Sequence, residues 1–299
     1  MTRLSEAPIG CVPIIWNNAD LRDLGPEVAY ETVLDELVRL DFAGCQFGIG
    51  FPEGEAIRSE LARRNLRLAE RYWALPADGG GLVGDAEGSA RQALAHARST
   101  GAEVLVLALD GGGGRDEWAG RVDEGGPRWP DAAFDGLGAL LGTIAEEAAD
   151  DVMVAFHPHA ATWIETADET DALAARLTGS RARLCLDVGH FTVGGGNPVE
   201  AIGRHEQLIG HVHLKDVDGD VLRRLRAREI GGFAPAIRER IFTELGNGVL
   251  DLPGVLRALA GIGYSGWLMV EQDSSWLPPS EAAEIGGRAV RNALLELGS

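Results

Sequence analysis

Short apolar runs alternate with helix-length amphipathic stretches from one end of this 299-residue chain to the other. The runs lie at 9–15, 43–47, 67–73, 103–109, 152–157, 182–187, 209–214 and 267–271. Most are continuously apolar, the pattern of strands buried on both faces under helices. The stretches between them fit helices at 27–40, 54–65, 87–100, 131–149, 167–178, 198–207, 251–262 and 281–297. In 27–40 the apolar stripe is Tyr30, Val33, Leu34, Leu37 and Val38; in 251–262 it is Leu252, Val255, Leu256, Leu259 and Ile262. Pro26, Pro130, Pro198 and Pro253 fall in or beside first turns, where a missing N–H costs nothing. Repeated strand–helix units imply a parallel sheet, and eight of them imply closure into a single (β/α)8 TIM barrel spanning residues 1–299. A doubly wound open sheet is the alternative.

Two segments exceed ordinary loops. One, 110–129, opens with Asp110 and four glycines; no helix begins at its end and no Lys-Ser/Thr follows, so it makes a poor phosphate cradle. The other, 216–250, follows the seventh strand, and its charged helix-like stretch at 221–242 is expected to cover the barrel mouth as a helical insertion. Composition enters by exclusion. A net charge of −19 repels phosphates and argues against a nucleic-acid partner. No run approaches the roughly 18 apolar residues of a membrane span, and the first ten residues lack a signal peptide's apolar core. Cys11, Cys45 and Cys185 are scattered within apolar runs, as suits reduced thiols and a cytoplasmic location. Assembly as a homo-oligomer stays open.

Barrel active sites are built at the C-terminal ends of the strands. Six of the seven histidines lie between 157 and 213. The fifth run ends in His157-Pro158-His159, and the sixth ends in Asp187 with His190 three residues on. The seventh alternates His211, His213 and Lys215 onto one face, and Lys215 is the single lysine beside 26 arginines. The eighth ends in Glu271. A carboxylate at the end of a buried strand is costly unless paired or metal-bound. Asp187, His213 and Glu271, on consecutive strands, are therefore expected to converge on one divalent cation. Mixed carboxylate and imidazole donors suit Mn2+ or Co2+, with Zn2+, Fe2+ or Mg2+ as further candidates, better than Ca2+. The alternative for each residue is a hydrogen-bonded barrel-end group or a surface ion pair.

The segments LCLDVGH (184–190), GHVHLKDV (210–217) and GVLDLPGVLRALAGIGYSGWLMVEQD (248–273) resemble the xylose-isomerase-like barrel superfamily of sugar isomerases and epimerases. Together with Pro13-Ile-Ile-Trp-Asn-Asn18 and HPHAATWIET (157–166), they are similar within it to inosose (2-keto-myo-inositol) dehydratases. The resemblance implies a metal held by a Glu after strand five, an Asp after strand six, a His on strand seven and a Glu after strand eight. The last three map onto Asp187, His213 and Glu271. The first does not transfer: strand five ends in Ala155-Phe156-His157, and the nearest carboxylate is Glu165. Either Glu165 folds back as the fourth ligand or His157 or His159 substitutes; the ordinary role for Glu165 is a charge at a helix N-terminus. Gln46 stands on strand two where many relatives carry a carboxylate, so a base is absent there.

The implied chemistry runs through an enediolate. Its product is either dehydration of a keto-inositol or related keto-sugar, or aldose–ketose isomerisation or ketose epimerisation. A non-catalytic sugar-binding barrel is a third reading, and a nuclease is disfavoured by the charge. Candidate acid/base residues are His157, His159, His190 and Lys215, with Glu271 doubling as ligand. Trp16, Asn17, Trp73 and Trp276 are expected to shape a polyol pocket, simple packing being the alternative for each tryptophan.

Overall fold

The computed structural model describes residues 4–19, 21–112 and 114–298. Met1–Arg3, at the start of the segment read for a signal peptide, and Gly113 of the glycine run lie outside the described residues. The strands β1 (Ile9–Cys11), β2 (Gly44–Gln46), β3 (Arg67–Leu75), β4 (Val104–Leu109), β5 (Met153–Phe156), β6 (Arg183–Asp187), β7 (Ile209–Leu214) and β8 (Leu268–Val270) are parallel and adjacent in chain order. Ile9 pairs with Leu268 across β1 and β8, which closes the barrel and removes the open-sheet alternative.

The helices are α1 (Tyr30–Arg39), α2 (Glu55–Arg63), α3 (Ala86–Thr100), α4 (Asp131–Ala148), α5 (Ala167–Leu177), α6 (Val188–Val193), α7 (Pro198–Arg204), α8 (Gly219–Arg226), α9 (Phe233–Arg238), α10 (Leu252–Gly261) and α11 (Pro279–Gly298). Several element ends differ from the sequence expectation: α1 begins at Tyr30 rather than 27, which leaves Pro26 outside its first turn, and two further differences shape the site. The first strand stops at Cys11, and Pro13–Ile15 form a 3-10 turn, since proline fixes φ and offers no ladder donor. After β6 the chain turns directly into α6, because Asp187 caps it by accepting the N–H groups of Gly189 and His190. Among the described residues, no helix is long and apolar enough to cross a membrane.

The main core lies between barrel and helices and includes Leu34, Leu37, Leu105, Leu107, Leu137, Leu184 and Leu256. The 216–250 segment builds its own core. Val221, Leu222, Leu225, Phe233, Ile237 and Phe242 pack with Ala160, Ala161 and Val193, and the pair Asp216–Val217 and Phe242–Thr243 closes it antiparallel. Phe233 and Ile237 reach the cavity at the barrel mouth, so α9 forms one of its walls.

The 110–129 segment is held by a buried ion pair. Arg115 donates from its two terminal nitrogens to Glu169 at 2.8 and 2.9 Å, and both residues are almost fully buried. Glu169 also completes the capping box of α5 with Thr166. Removing one partner of a buried pair strands the other charge, so Arg115→Ala is expected to lower unfolding free energy by about 3–5 kcal/mol. Urea denaturation monitored by circular dichroism checks this; a loss well under 1 kcal/mol would show that the pair contributes little.

Candidate functional site

Consecutive strands deliver three side chains to one point. Asp187 ends β6, His213 lies on β7 and Glu271 follows β8 directly. Asp187 spends Oδ1 on the N–H groups of Gly189 and His190, both at 2.8 Å, which leaves Oδ2 for the barrel axis. His213 Nδ1 sits 3.8 Å from Asp187 Oδ2 and 2.7 Å from Glu271 Oε2. All three atoms are buried, and none makes a hydrogen bond of normal geometry among the described residues. One ligand atom from each residue lies within 4.8 Å of the others. Buried unpaired polar atoms are costly, and three of them facing one another form a donor set suited to a divalent cation.

The electrostatics keep these carboxylates ionised. Burial pushes Asp187 up, but Lys215, His157 and His213 hold it below the ordinary carboxylate range. Burial likewise opposes ionisation of Glu271, which Lys215 and His213 bring down to about 2. Lys215 is wholly buried, with Nζ donating to Asp273 at 2.7 Å and Glu271 at 2.9 Å and lying 3.0 Å from His190 Nε2. The Phe242 ring covers the ammonium at 4.4 Å. Burial alone would lower this lysine, yet Asp273, Glu271 and Asp187 raise it well above its ordinary value.

His157 and His159 line a cavity of about 500 Å3 together with Glu271, Asp273, Tyr72, Gln46 and Asn17. His157 Nε2 lies 3.6 Å from Asp187 Oδ2. His190 stacks on His159 with ring centres 3.7 Å apart, and with Lys215 it stands behind the lining residues.

Other expected site residues fall elsewhere. Glu165 does not join the ligand group, because each of its carboxylate oxygens accepts a backbone N–H, from Gly120 at 2.7 Å and Ala161 at 2.6 Å. It ties the loop after β5 to the 110–129 segment. Burial pushes its carboxyl up to about 7, against the pull of those N–H groups. Trp73 faces outward, donating to Ser89 of α3 at 2.9 Å. Trp276 is 78% exposed beneath the Arg240 guanidinium. Trp16 is buried, hydrogen-bonded to Ser280, and lines a neighbouring cavity of about 320 Å3. Asn17 reaches the main cavity, but its amide is engaged at both ends by the backbone of Val28.

Two residues of the site were missed from sequence. Asp273 follows Glu271 by two positions. Glu70 lies on β3, fully buried, with Oε2 bound to both His211 and His213. The signal for Glu70 was available: a carboxylate within a continuous strand carries the same cost as one at a strand end.

Residues 34–293 match the family model described as xylose isomerase-like TIM barrel. The chain belongs to that family. It is 36% identical over 290 residues to the rhizopine catabolism protein MocC of Rhizobium meliloti, covering 95% of this chain and 87% of that protein. It is 31% identical over 296 residues to an inosose dehydratase of Bacillus velezensis, covering 96% of each. Among solved structures, an L-ribulose 3-epimerase superposes with a TM-score of 0.70 at 19% identity, over 98% of this chain and 97% of that one. The IolI protein with a bound zinc atom gives 0.66 at 14% identity, over 97% and 98%. These two likenesses establish the shared barrel fold.

Glu165→Gln supplies an NH2 group to one of two backbone donors and leaves that donor without an acceptor. The variant is expected to lose about 1–3 kcal/mol of stability while binding divalent metal as the wild type does. Isothermal titration with Mn2+ alongside thermal unfolding checks both halves; a large loss of metal affinity would return Glu165 to the ligand set.

Proposed function

We propose that this family member is a metal-dependent lyase that dehydrates an uncharged keto-inositol or a related keto-sugar. The observation that carries the reading is the trio of unpaired atoms, Asp187 Oδ2, His213 Nδ1 and Glu271 Oε2, converging beside a cavity of about 500 Å3. These three side chains would hold the cation, with Mn2+ or Co2+ the best match to the donor set and Zn2+, Fe2+ or Mg2+ also compatible. A divalent cation there supplies Lewis-acid stabilisation of the negative charge that develops on a substrate ketone. The zinc bound in IolI supports a divalent ion, and the inosose dehydratases support the lyase class.

The chain's own groups account for the proton movements. His159 Nδ1 lies 2.7 Å from the Ala160 carbonyl. A carbonyl only accepts, so Nδ1 carries the hydrogen and Nε2 the lone pair. Burial first, then the nearby His157 and Lys215, lower this imidazole, which keeps it neutral at pH 7. On this reading the Nε2 lone pair of the cavity-lining His159 takes the proton alpha to the ketone. His157 is suited to hold the proton delivered to the departing beta-hydroxyl. Net loss of one water leaves a carbon–carbon double bond conjugated with the ketone. Lys215 and His190 hold the carboxylates and the His159 ring in register. Isomerisation or epimerisation would share the first proton abstraction, and the inosose dehydratase at 31% identity favours the lyase.

The substrate class follows from the lining. Among the described residues no arginine or lysine lines the cavity, whereas Asp110, Asp116, Glu271 and Asp273 do. Such a wall disfavours a phosphate or carboxylate on the substrate and accepts hydroxyl groups. Three buried thiols support a reducing, cytoplasmic setting.

Incubating the Mn2+-loaded protein with 2-keto-myo-inositol is expected to produce ultraviolet absorbance from a conjugated enone, with mass loss of one water. A new sugar of unchanged mass would overturn the lyase reading. His159→Phe is expected to reduce kcat by roughly 10²–10⁴-fold with metal content retained. Asp187→Ala should lose the ion by elemental analysis while keeping its circular dichroism spectrum.

A further inference from the structure

Below the mouth of the barrel, Glu70 accepts from two imidazoles with one oxygen. His213 Nε2 lies 2.8 Å from Glu70 Oε2, and His211 Nε2 contacts the same oxygen. All three side chains are buried. Glu70 Oε1 makes no hydrogen bond among the described residues. A carboxylate with two imidazole nitrogens on one oxygen takes the acceptor's part.

His213 thus stands between two carboxylates. Glu70 holds Nε2 from within the barrel, and Glu271 Oε2 lies 2.7 Å from Nδ1 at the mouth. A neutral imidazole carries one N–H and one lone pair. If the hydrogen sat on Nδ1, Glu271 would capture it, and both atoms would be lost as ligands together. From the geometry we infer that Glu70 is a positioning residue: it holds the His213 hydrogen on Nε2 and so keeps the Nδ1 lone pair directed at Asp187 and Glu271. This rests on the metal-site reading above and extends it to a residue on β3, far in sequence from the ligands. His211, bound to the same oxygen, fixes the carboxylate against rotation. Histidine ligands held by a carboxylate in this way typically lose 10–100-fold in metal affinity when the carboxylate is removed.

The test uses the full chain loaded with Co2+. In wild type, proton NMR of the paramagnetic protein is expected to show one shifted, slowly exchanging N–H from His213 Nε2. Glu70→Gln should weaken Co2+ binding about 10–100-fold and lose or broaden that resonance, and Glu70→Asp, which keeps an acceptor-only group, should recover part of the affinity. Wild-type affinity and an unchanged resonance in Glu70→Gln, with Asp187→Ala releasing the ion, would overturn the role of Glu70 and leave the metal site standing. Should Glu70→Gln fail to fold, the wild-type spectrum decides: absence of the slowly exchanging N–H overturns the inference. Wild-type protein that binds no ion would sink the site reading and this inference together.

Discussion

Burying carboxylates in a barrel interior sets the terms for everything else in this protein. An isolated ionised carboxylate is costly to remove from water, and the cost is offset only by cations, hydrogen bonds or metal. Here Glu70, Asp187, Glu271 and Asp273 are all buried, and Lys215 lies within ion-pair distance of the last three. His211 and His213 answer Glu70, and His213 lies beside Glu271 as well. After those pairings, one oxygen each of Glu70, Asp187 and Glu271 and one nitrogen of His213 are without hydrogen bonds among the described residues, the last three facing one another. The excess is negative and localised, and its donor atoms are of the kind that suits a divalent cation.

The surrounding structure holds this excess at a fixed place. Asp187 cannot rotate freely, because its other oxygen is the N-cap of α6. Gly189, in the first turn of that helix, must be glycine: a Cβ there would lie 2.8 Å from the Lys215 stem and its backbone oxygen. Four segments at the mouth are tied by partly buried polar contacts. Glu165 joins the β5 loop to Gly120, Arg226 of α8 donates to the carbonyls of Gly120, Thr192 and Val193, and Asp116 accepts from Ala234 of α9. The residue first expected to hold the cation holds the loops instead. Both roles use a buried carboxylate, but backbone N–H groups satisfy this one completely.

The barrel was legible because its periodicity is a direct consequence of burial. Continuous apolar runs mark strands covered on both sides, and stripes at 3.6-residue spacing mark helices covered on one. Asp187, His213 and Glu271 were legible for the same reason, as polar groups at the ends of such runs. Glu165 was not, since the path of the ten-residue loop 157–166 is decided by hydrogen bonds between segments that a local pattern does not encode. Trp73 illustrates the opposite case. It neighbours Tyr72, which lines the cavity, and strand alternation turns adjacent residues to opposite faces. Glu70 sits on the inward face, and the rule that singled out the strand-end carboxylates applies to it with greater force.

The single lysine has a physical reason that composition alone left open. Position 215 is completely buried, its stem lies close to α6 at Gly189, and its head group meets three separate side chains at 2.7, 2.9 and 3.0 Å. An ammonium is a compact charge with donors spread tetrahedrally, which suits several separate side chains. A guanidinium is planar and larger, and its fork matches one carboxylate presented edge-on, as Arg115 shows with Glu169. Placed at 215, it would have to thread past Gly189 and displace His190 or Glu271. In a chain that uses arginine at every other basic position, the geometry of this site is what requires lysine at 215.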